Sequence, residues 1–589
     1  MPTQSHCHSD AFRFRRRRRT LLVLLALAWF GLAGRMIQLQ WIDRREFAEL
    51  ANRQRVFYET VPARPGEILD RHGRLLATTI STRSLYIVPD RISHPSQIVR
   101  RISETLALDA DRLLKQILRN RNKKFLWVKR RLEDNQTERI RRLELPAETW
   151  GFRMEYLRRY PQGLLAAHVL GLRDIDGNGR GGLEEKYDRL LGGSDGRRLL
   201  IRDARGRVMD VRDNTIAAAR HGRTIVLSLD AVIQLDVERE LDRLMRTWKP
   251  HSACAIVLDP RNGEILATAS RPTFDPNHPV NVPDAAWTNT TISAVYEPGS
   301  TIKPFIVAWA IDRGLLKSQE TFNCQQGAYQ MGRRVLHDHH PYGELSVTDI
   351  LVKSSNIGMA KIGERLTNAG LYEAVVAFGF GRRTGSGLPG ELAGRVRALK
   401  EWDSYSTGSI PMGQEIAVTP LQLIAAHAAL ANGGKLISPQ LVLQGDAGPS
   451  GDTADSSPRM SKVVVSQTVT PKTARWLVEG PMRDVVRRGT GTEAQLKDYD
   501  VFGKTGTAQK IDPATGKYSS KRYVSSFICG APTNDPRVLV LVQVDEPSAG
   551  GNHFGGTVAA PAAARILQKT LILLRVPAKN GPIRAARRL

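Results

Sequence analysis

Residues 296–305 read YEPGSTIKPF, and two of them, Ser300 and Lys303, could do chemistry together. A Pro-Gly step delivers the chain to Ser300, and the apolar run FIVAWAI from Phe305 predicts a buried helix just beyond. A lysine at a helix mouth is electrostatically misplaced, because the N-terminus already carries partial positive charge. Stability does not ask for it, but catalysis does. The i,i+3 spacing places both side chains on one face, within hydrogen-bond reach. The dipole and partial burial lower the lysine pKa toward that of a useful base. Neutral lysine can take the proton that a serine must lose to become a nucleophile. Backbone N–H groups at the same helix start suit a developing oxyanion.

Two further stretches supply partners. VKSSNIGMAKIG holds Ser354-Ser355-Asn356, and VFGKTGTAQK holds Lys504-Thr505-Gly506-Thr507. Ser354 can relay a proton between Lys303 and a leaving amine. Asn356 both donates and accepts, so it can hold a substrate amide and orient the lysine. Lys504 puts positive charge where a substrate carboxylate would sit, with the hydroxyls of Thr505 and Thr507 beside it. Gly506 lets a substrate backbone approach the strand edge. The N–H groups of Ser300 and Thr507 would form an oxyanion hole. Such a serine–lysine acyl transferase needs neither metal nor cofactor.

S-x-x-K, S-x-N and K-T-G in this order match the signature of serine acyl-enzymes of the penicillin-binding class. Over nearly all of residues 20–575 the chain resembles a class B penicillin-binding protein, a monofunctional D,D-transpeptidase of peptidoglycan synthesis. RPGEILDRHGRLLA (64–77) resembles the family's R-G-x-I-x-D-R-x-G-x-x-L-A box, with Pro65 an extra residue. RRYPQGLLAAHVLG and GRGGLEEKYDRLLGG resemble its later N-terminal boxes; MGQEIAVTPLQLIAAHAALANGGK and DEPSAGGNHFGGTVAAP resemble catalytic-domain stretches. EPGS before the lysine resembles the division type, where the elongation type more often has PPGS.

The resemblance implies an acyl-enzyme on Ser300, stem peptides ending in D-Ala-D-Ala as substrate, and β-lactams as inhibitors. It also implies a membrane glycosyltransferase and division proteins as partners. The competing readings are an elongation-type relative, a β-lactamase or β-lactam sensor, and an inactive division scaffold. A lactamase needs no anchor or large N-terminal module. A sensor needs more spans, and a dead scaffold would not retain every motif side chain. A bifunctional enzyme needs a glycosyltransferase module with an acidic signature, absent from the first 220 residues.

The elements that must position these residues follow from the rest of the chain. At 589 residues it is long enough for two or three domains, with an ordinary 41% hydrophobic and 25% charged residues. A net charge of +27 raises nucleic acid as a partner, but no zinc-finger spacing, RNP-like stretch or phosphate loop supports it. FRFRRRRRT runs straight into LLVLLALAWFGLAG, and MIQLQWI continues past Arg35 to Ile42. That is the length of one membrane span. Five consecutive arginines hold the N-terminus in the cytoplasm, leaving the catalytic part outside, in the periplasmic or extracytoplasmic space. A cleaved signal peptide would end near Gly34, but the apolar stretch beyond it favours an uncleaved anchor. Cys7 precedes the span, leaving Cys254, Cys324 and Cys529 outside, an odd number that argues against a disulfide framework and against zinc.

The expected fold class is α+β. A basic tail (1–19) precedes the transmembrane anchor (20–42) and an irregular pedestal module (43–220). The transpeptidase domain (221–576) and a basic C-terminal tail (577–589) follow. Two hairpin signals far apart, ACAIVLDPRNGEILATAS around an Asn-Gly turn and YVSSFICGAPTNDPRVLVLVQVD, predict one antiparallel sheet flanked by helices. QGDAGPSGDTADSSPRMSK (444–462) reads as a solvated insertion. DIDGNGRGGLEE (174–185) fits an EF-hand loop except for Gly181 and the poor preceding helix, and the family box already accounts for it. HDHH (337–340) lacks further ligands at metal spacing and reads as a polar loop near the site. FGKTGT fails as a nucleotide loop because Asp498 stands where its first glycine is required.

Overall fold

The apolar run after the arginine cluster forms a helix from Cys7 to Ile37 that continues as a wider turn over Gln38–Ile42. In the computed structural model, the described residues are 7–202, 208–212, 217–445 and 464–579. Most of the expected insertion (from 446), the first six residues and residues 580–589 of the C-terminal tail lie outside them. Among the described residues, Arg15–Ile42 is the one helix long and apolar enough to cross a membrane. Its 28 residues span about 42 Å at 1.5 Å per residue, against an apolar bilayer core of about 30 Å. The chain continues into the helix Arg44–Arg55 and the strand Val56–Val61. That strand pairs antiparallel with Gly196–Arg202, which pairs in turn with Val208–Arg212. Residues up to Ala63 and Ser194–Arg220 form this first unit.

The second unit comprises Arg64–Gly193 and the chain from His221 onward. It thus takes in most of the stretch that the sequence suggests as a pedestal, and strand pairing explains why. Ile68–Leu69 runs parallel to Ile225–Leu227, which pairs antiparallel with Val442–Gly445. Leu75–Ile87 continues that sheet and carries Leu126–Leu132 and Trp150–Arg159. Under it, the carboxylate of Glu184 receives Arg158 at 2.6 Å and Arg173 at 2.7 Å, all three buried. Arg158 also donates to the Gly66 carbonyl and to Thr79, so the RPGEI and GGLEEKY boxes meet at one ionic hub.

The catalytic part is built on Ala231–Trp248 (α1), Ser252–Leu258 (β1), Ile265–Arg271 (β2), Lys303–Asp312 (α2), Val347–Lys353 (α3) and Asn356–Ala377 (α4). It continues through Pro420–Ala431 (α5), Phe502–Ile511 (β3), Tyr518–Ala531 (β4), Val538–Asp545 (β5) and Ala560–Leu573 (α6). The sheet order is β2-β1-β5-β4-β3, all antiparallel, as the two hairpin signals predict. Successive strand residues face opposite sides, and both sides are packed. Ile256, Leu539 and Leu541 join the core that contains α2 and α5; Ala255, Val257, Val540 and Val542 join the one that contains α1 and α6. α2 and α5 are apolar all round because both lie inside the protein. Cys254, Cys324 and Cys529 are buried free thiols.

Candidate active site

Two of the three motifs sit where one element ends and the next begins, and the third lies within a strand. Ser300 lies in a tight 3₁₀ turn, Gly299–Ile302, and Lys303 is the first residue of α2, followed by Pro304 at a helix start that tolerates it. Gly299 adopts φ +55°, and a Cβ there would come within 2.9 Å of the Thr507 carbonyl. The turn can therefore press against β3 only with glycine at that position. Glu297 holds the approach to it, accepting from Glu415 N (2.9 Å) and the Tyr518 hydroxyl (3.0 Å). α3 stops at Lys353, Ser354 takes the left-handed conformation (φ 59°), and the Ser355 hydroxyl caps α4 by accepting from Gly358 N. Lys504–Thr507 lie on β3, the edge strand of the sheet.

The two turns and the strand converge. Lys303 and Lys504 are both fully buried. Lys303 Nζ donates to the Ser354 carbonyl (2.6 Å), Asn356 Oδ1 (2.9 Å) and Ser354 Oγ (3.2 Å). Lys504 Nζ reaches the same Ser354 Oγ at 3.0 Å. No hydrogen bond joins Lys303 to Ser300 among the described residues. The direct contact expected from i,i+3 spacing is replaced by one from Lys303 to the S-x-N turn, because four acceptors of that turn surround the amine. Burial pushes Lys303 down from 10.5 to about 7, with the Asp338 carboxylate pulling the other way. Burial, and then the charge of Lys303, hold Lys504 well below its ordinary value. Ser300, Ser354, Thr505 and Thr507 all line one cavity of about 510 Å³.

Several residues of this site carry no motif. Asp338, the acid of HDHH, accepts from Ser355 Oγ (2.6 Å), Ile357 N (3.1 Å) and the backbone N–H of Asn356. It thus pins the S-x-N turn to the start of α4. Thr490 shares a 2.7 Å hydrogen bond with Thr505 and steers that hydroxyl. Beneath the Ser300 turn, buried His427 donates from Nε2 to the Thr301 carbonyl (3.2 Å), and its Nδ1 has no hydrogen-bond partner among the described residues; burial keeps the ring neutral, with a pKa of about 3. Only the aspartate had a visible cue, an acid inside a histidine cluster. Glycine at 506 is also required by packing within the protein. A Cβ there would come within 2.4 Å of Ser526 Oγ and 2.8 Å of Thr301 Cγ2, so the Ser300 turn itself fills that space.

The remaining motifs resolve as local structure. Asp174 accepts from Asp176 N and Asn178 N at 2.9 Å each and pairs with Arg180, so its lone pairs are taken within the loop. Glu185 accepts from Gly181 N. His339 and His340 line the Ser300 cavity. Among the described residues, no three His, Cys, Asp or Glu side chains cluster in a way that could hold a metal ion.

A serine at a strand edge, a buried lysine of depressed pKa, and a second serine bridging that lysine to a third motif define a serine–lysine acyl transferase of the penicillin-binding type. The family model described as "Penicillin binding protein transpeptidase domain" matches residues 253–568, and "Penicillin-binding Protein dimerisation domain" matches residues 60–227. The chain belongs to the penicillin-binding protein transpeptidases. It is 34% identical over 571 residues to the "Probable peptidoglycan D,D-transpeptidase PenA" of Neisseria meningitidis, covering 96% of this chain and 94% of that one. It is 29% identical over 580 residues to the "Peptidoglycan D,D-transpeptidase FtsI" of Escherichia coli, covering 98% and 94% respectively. Penicillin binding protein 3 of Mycobacterium tuberculosis, solved in complex with aztreonam, has 28% identity and a TM-score of 0.67 over 89% of this chain and 99% of its own.

Proposed function

We propose that this protein cross-links peptidoglycan stem peptides as a serine D,D-transpeptidase, anchored by one membrane span, in cell division. The observation that carries the mechanism is Lys303, fully buried, with a pKa brought near 7 and its amine bonded to Ser354 and Asn356. Neutral Lys303 accepts the Ser300 proton as Oγ attacks the carbonyl carbon of the penultimate D-alanine. The backbone N–H groups of Ser300 and Thr507 hold the oxyanion. Lys303 then returns the proton through the Ser354 hydroxyl to the departing nitrogen, the C–N bond breaks, and D-alanine leaves. An acceptor amine attacks the resulting ester, its proton travels back along the same path, and Ser300 is regenerated. Lys504, Thr505 and Thr507 receive the terminal carboxylate, whose charge would draw Lys504 back toward its protonated form. β-Lactams enter as mimics of the D-Ala-D-Ala terminus and stop at the ester.

Arg15–Arg19 before the span support a cytoplasmic N-terminus and an extracytoplasmic catalytic part. A membrane glycosyltransferase supplying glycan strands and division proteins are the partners that fit this placement. EPGS and the FtsI resemblance support division over elongation. Fluorescent-penicillin labelling tests the chemistry. Ser300→Ala is expected to abolish covalent labelling without unfolding the protein, and labelling at the parent rate would refute the nucleophile. Release of the label over minutes would indicate a lactamase. A fluorescent fusion spread along the cell body rather than at the septum would refute the division role.

A further inference from the structure

Of the HDHH segment, Asp338 supports the S-x-N turn, whereas His339 and His340 take no part in the chemistry and form a wall of the cleft. His339 is exposed to the same cavity as Ser300 and meets Phe554 edge-on, with ring centroids 5.6 Å apart. Phe554 packs on His553 at 4.7 Å, and His553 stacks on Tyr523 at 3.8 Å. Both sides of this wall are tied to catalytic motifs. The His337 carbonyl accepts from Asn356 Nδ2 (3.1 Å), and Gly555 N donates to Thr507 Oγ1 (3.1 Å). The histidines are therefore held in place by the elements that hold the substrate. Among the charged and titratable side chains lining the cavity, Glu493 is the only acid, against His339, His340, Lys353 and Arg488. The terminal carboxylate is provided for on the strand side by Lys504, Thr505 and Thr507. His339 adjoins the Asn356 turn, which would hold the amide of the acyl portion.

We infer that His339, supported by His340 and His553, selects for a negative group on the acyl side of the scissile bond. The natural ligand class would be a stem peptide carrying a free carboxylate next to its D-Ala-D-Ala terminus, and this rests on the acyl-enzyme reading above. The groups facing His339 are Lys303 from α2, Asp338 and His340 from its own segment, and His553 from the loop before Gly555. Burial, then Lys303, hold its pKa below the ordinary 6.5, and Asp338 opposes them. His339 is thus neutral at pH 7.5 and gains its charge only in acid. Selection for an anion must strengthen in acid.

Three penicillins with one nucleus test this. The side-chain α-carbon carries hydrogen in benzylpenicillin, a carboxylate in carbenicillin and an ammonium in ampicillin. Second-order acylation rates of the detergent-solubilised full chain are measured at pH 7.5 and 5.5. Loss of the Lys303 base at low pH is common to all three and cancels in ratios to benzylpenicillin. The carbenicillin ratio is expected to rise about three- to fivefold toward pH 5.5, the range for exposed charge pairs, and the ampicillin ratio to fall. His339→Asn and, separately, His553→Phe should flatten the carbenicillin trend while benzylpenicillin still acylates, and should reduce the ampicillin trend to the part set by the drug's own amine, which titrates in this range. A carbenicillin ratio that stays flat in the parent, or a rise that survives His339→Asn, overturns the inference alone. Failure of all three drugs to acylate the parent would overturn the Ser300 reading and this one with it.

Discussion

The pH dependence of acylation follows from one buried amine. At a pKa of about 7, Lys303 is neutral in about half the molecules at pH 7, whereas an ordinary lysine at 10.5 would be neutral in about one in 3,000. Burial therefore raises the population of competent base on the order of 10³-fold. Between pH 6 and pH 8 the neutral fraction climbs from about one-tenth to about nine-tenths, so the second-order rate with benzylpenicillin should rise about tenfold and then level. Lys303→Arg keeps the charge and most of the reach toward Ser354 and Asn356, but a guanidinium does not give up its proton. Its rate should fall about 10²–10⁴-fold, the usual cost of a missing base. Lys504→Arg retains the charge that receives a carboxylate and should lose less. The assay is time-resolved labelling with a fluorescent penicillin from pH 5.5 to 9, with thermal unfolding as a check on folding. A parent rate that is flat between pH 6 and 8, or a Lys303→Arg variant as fast as the parent, would make Lys303 structural.

Other perturbations probe the supports of the site. Asp338 raises the Lys303 pKa, so Asp338→Asn should move the midpoint of the rate profile to lower pH. Loosening the S-x-N turn should also slow acylation about 10–100-fold, read from the same labelling series. Gly506→Ala drives a methyl into Ser526 and Thr301; a loss of about 1–3 kcal/mol in thermal unfolding and a sharp drop in labelling are expected. Unchanged labelling would mean that the turn can retreat. Glu184→Ala leaves Arg158 and Arg173 buried without their anion, which should cost about 3–5 kcal/mol in denaturant unfolding while the folded fraction still labels normally.

What was legible from residues alone is what short-range chemistry dictates. A serine three residues before a lysine at a helix mouth, an S-x-N and a K-T-G are unusual enough in combination to name Ser300, Lys303, Ser354, Asn356 and Lys504–Thr507. The span over residues 20–42 is visible because a bilayer reads composition and length. The two hairpins show because alternation and an Asn-Gly turn are local. Tertiary structure decided the rest. Asp338 matters because a loop returns to the start of α4, and neither its neighbours nor its spacing state that. The grouping of Arg64–Gly193 with the catalytic part follows from pairings such as Ile68 with Ile225, which join segments distant in sequence. Spacing placed Ser300 beside Lys303, but packing turned the amine to Ser354, because a buried amine takes the acceptors that surround it and those come from another helix. Propensity and periodicity act over a few residues. Desolvation, strand register and the close approach at Gly506 exist only once remote segments are in contact.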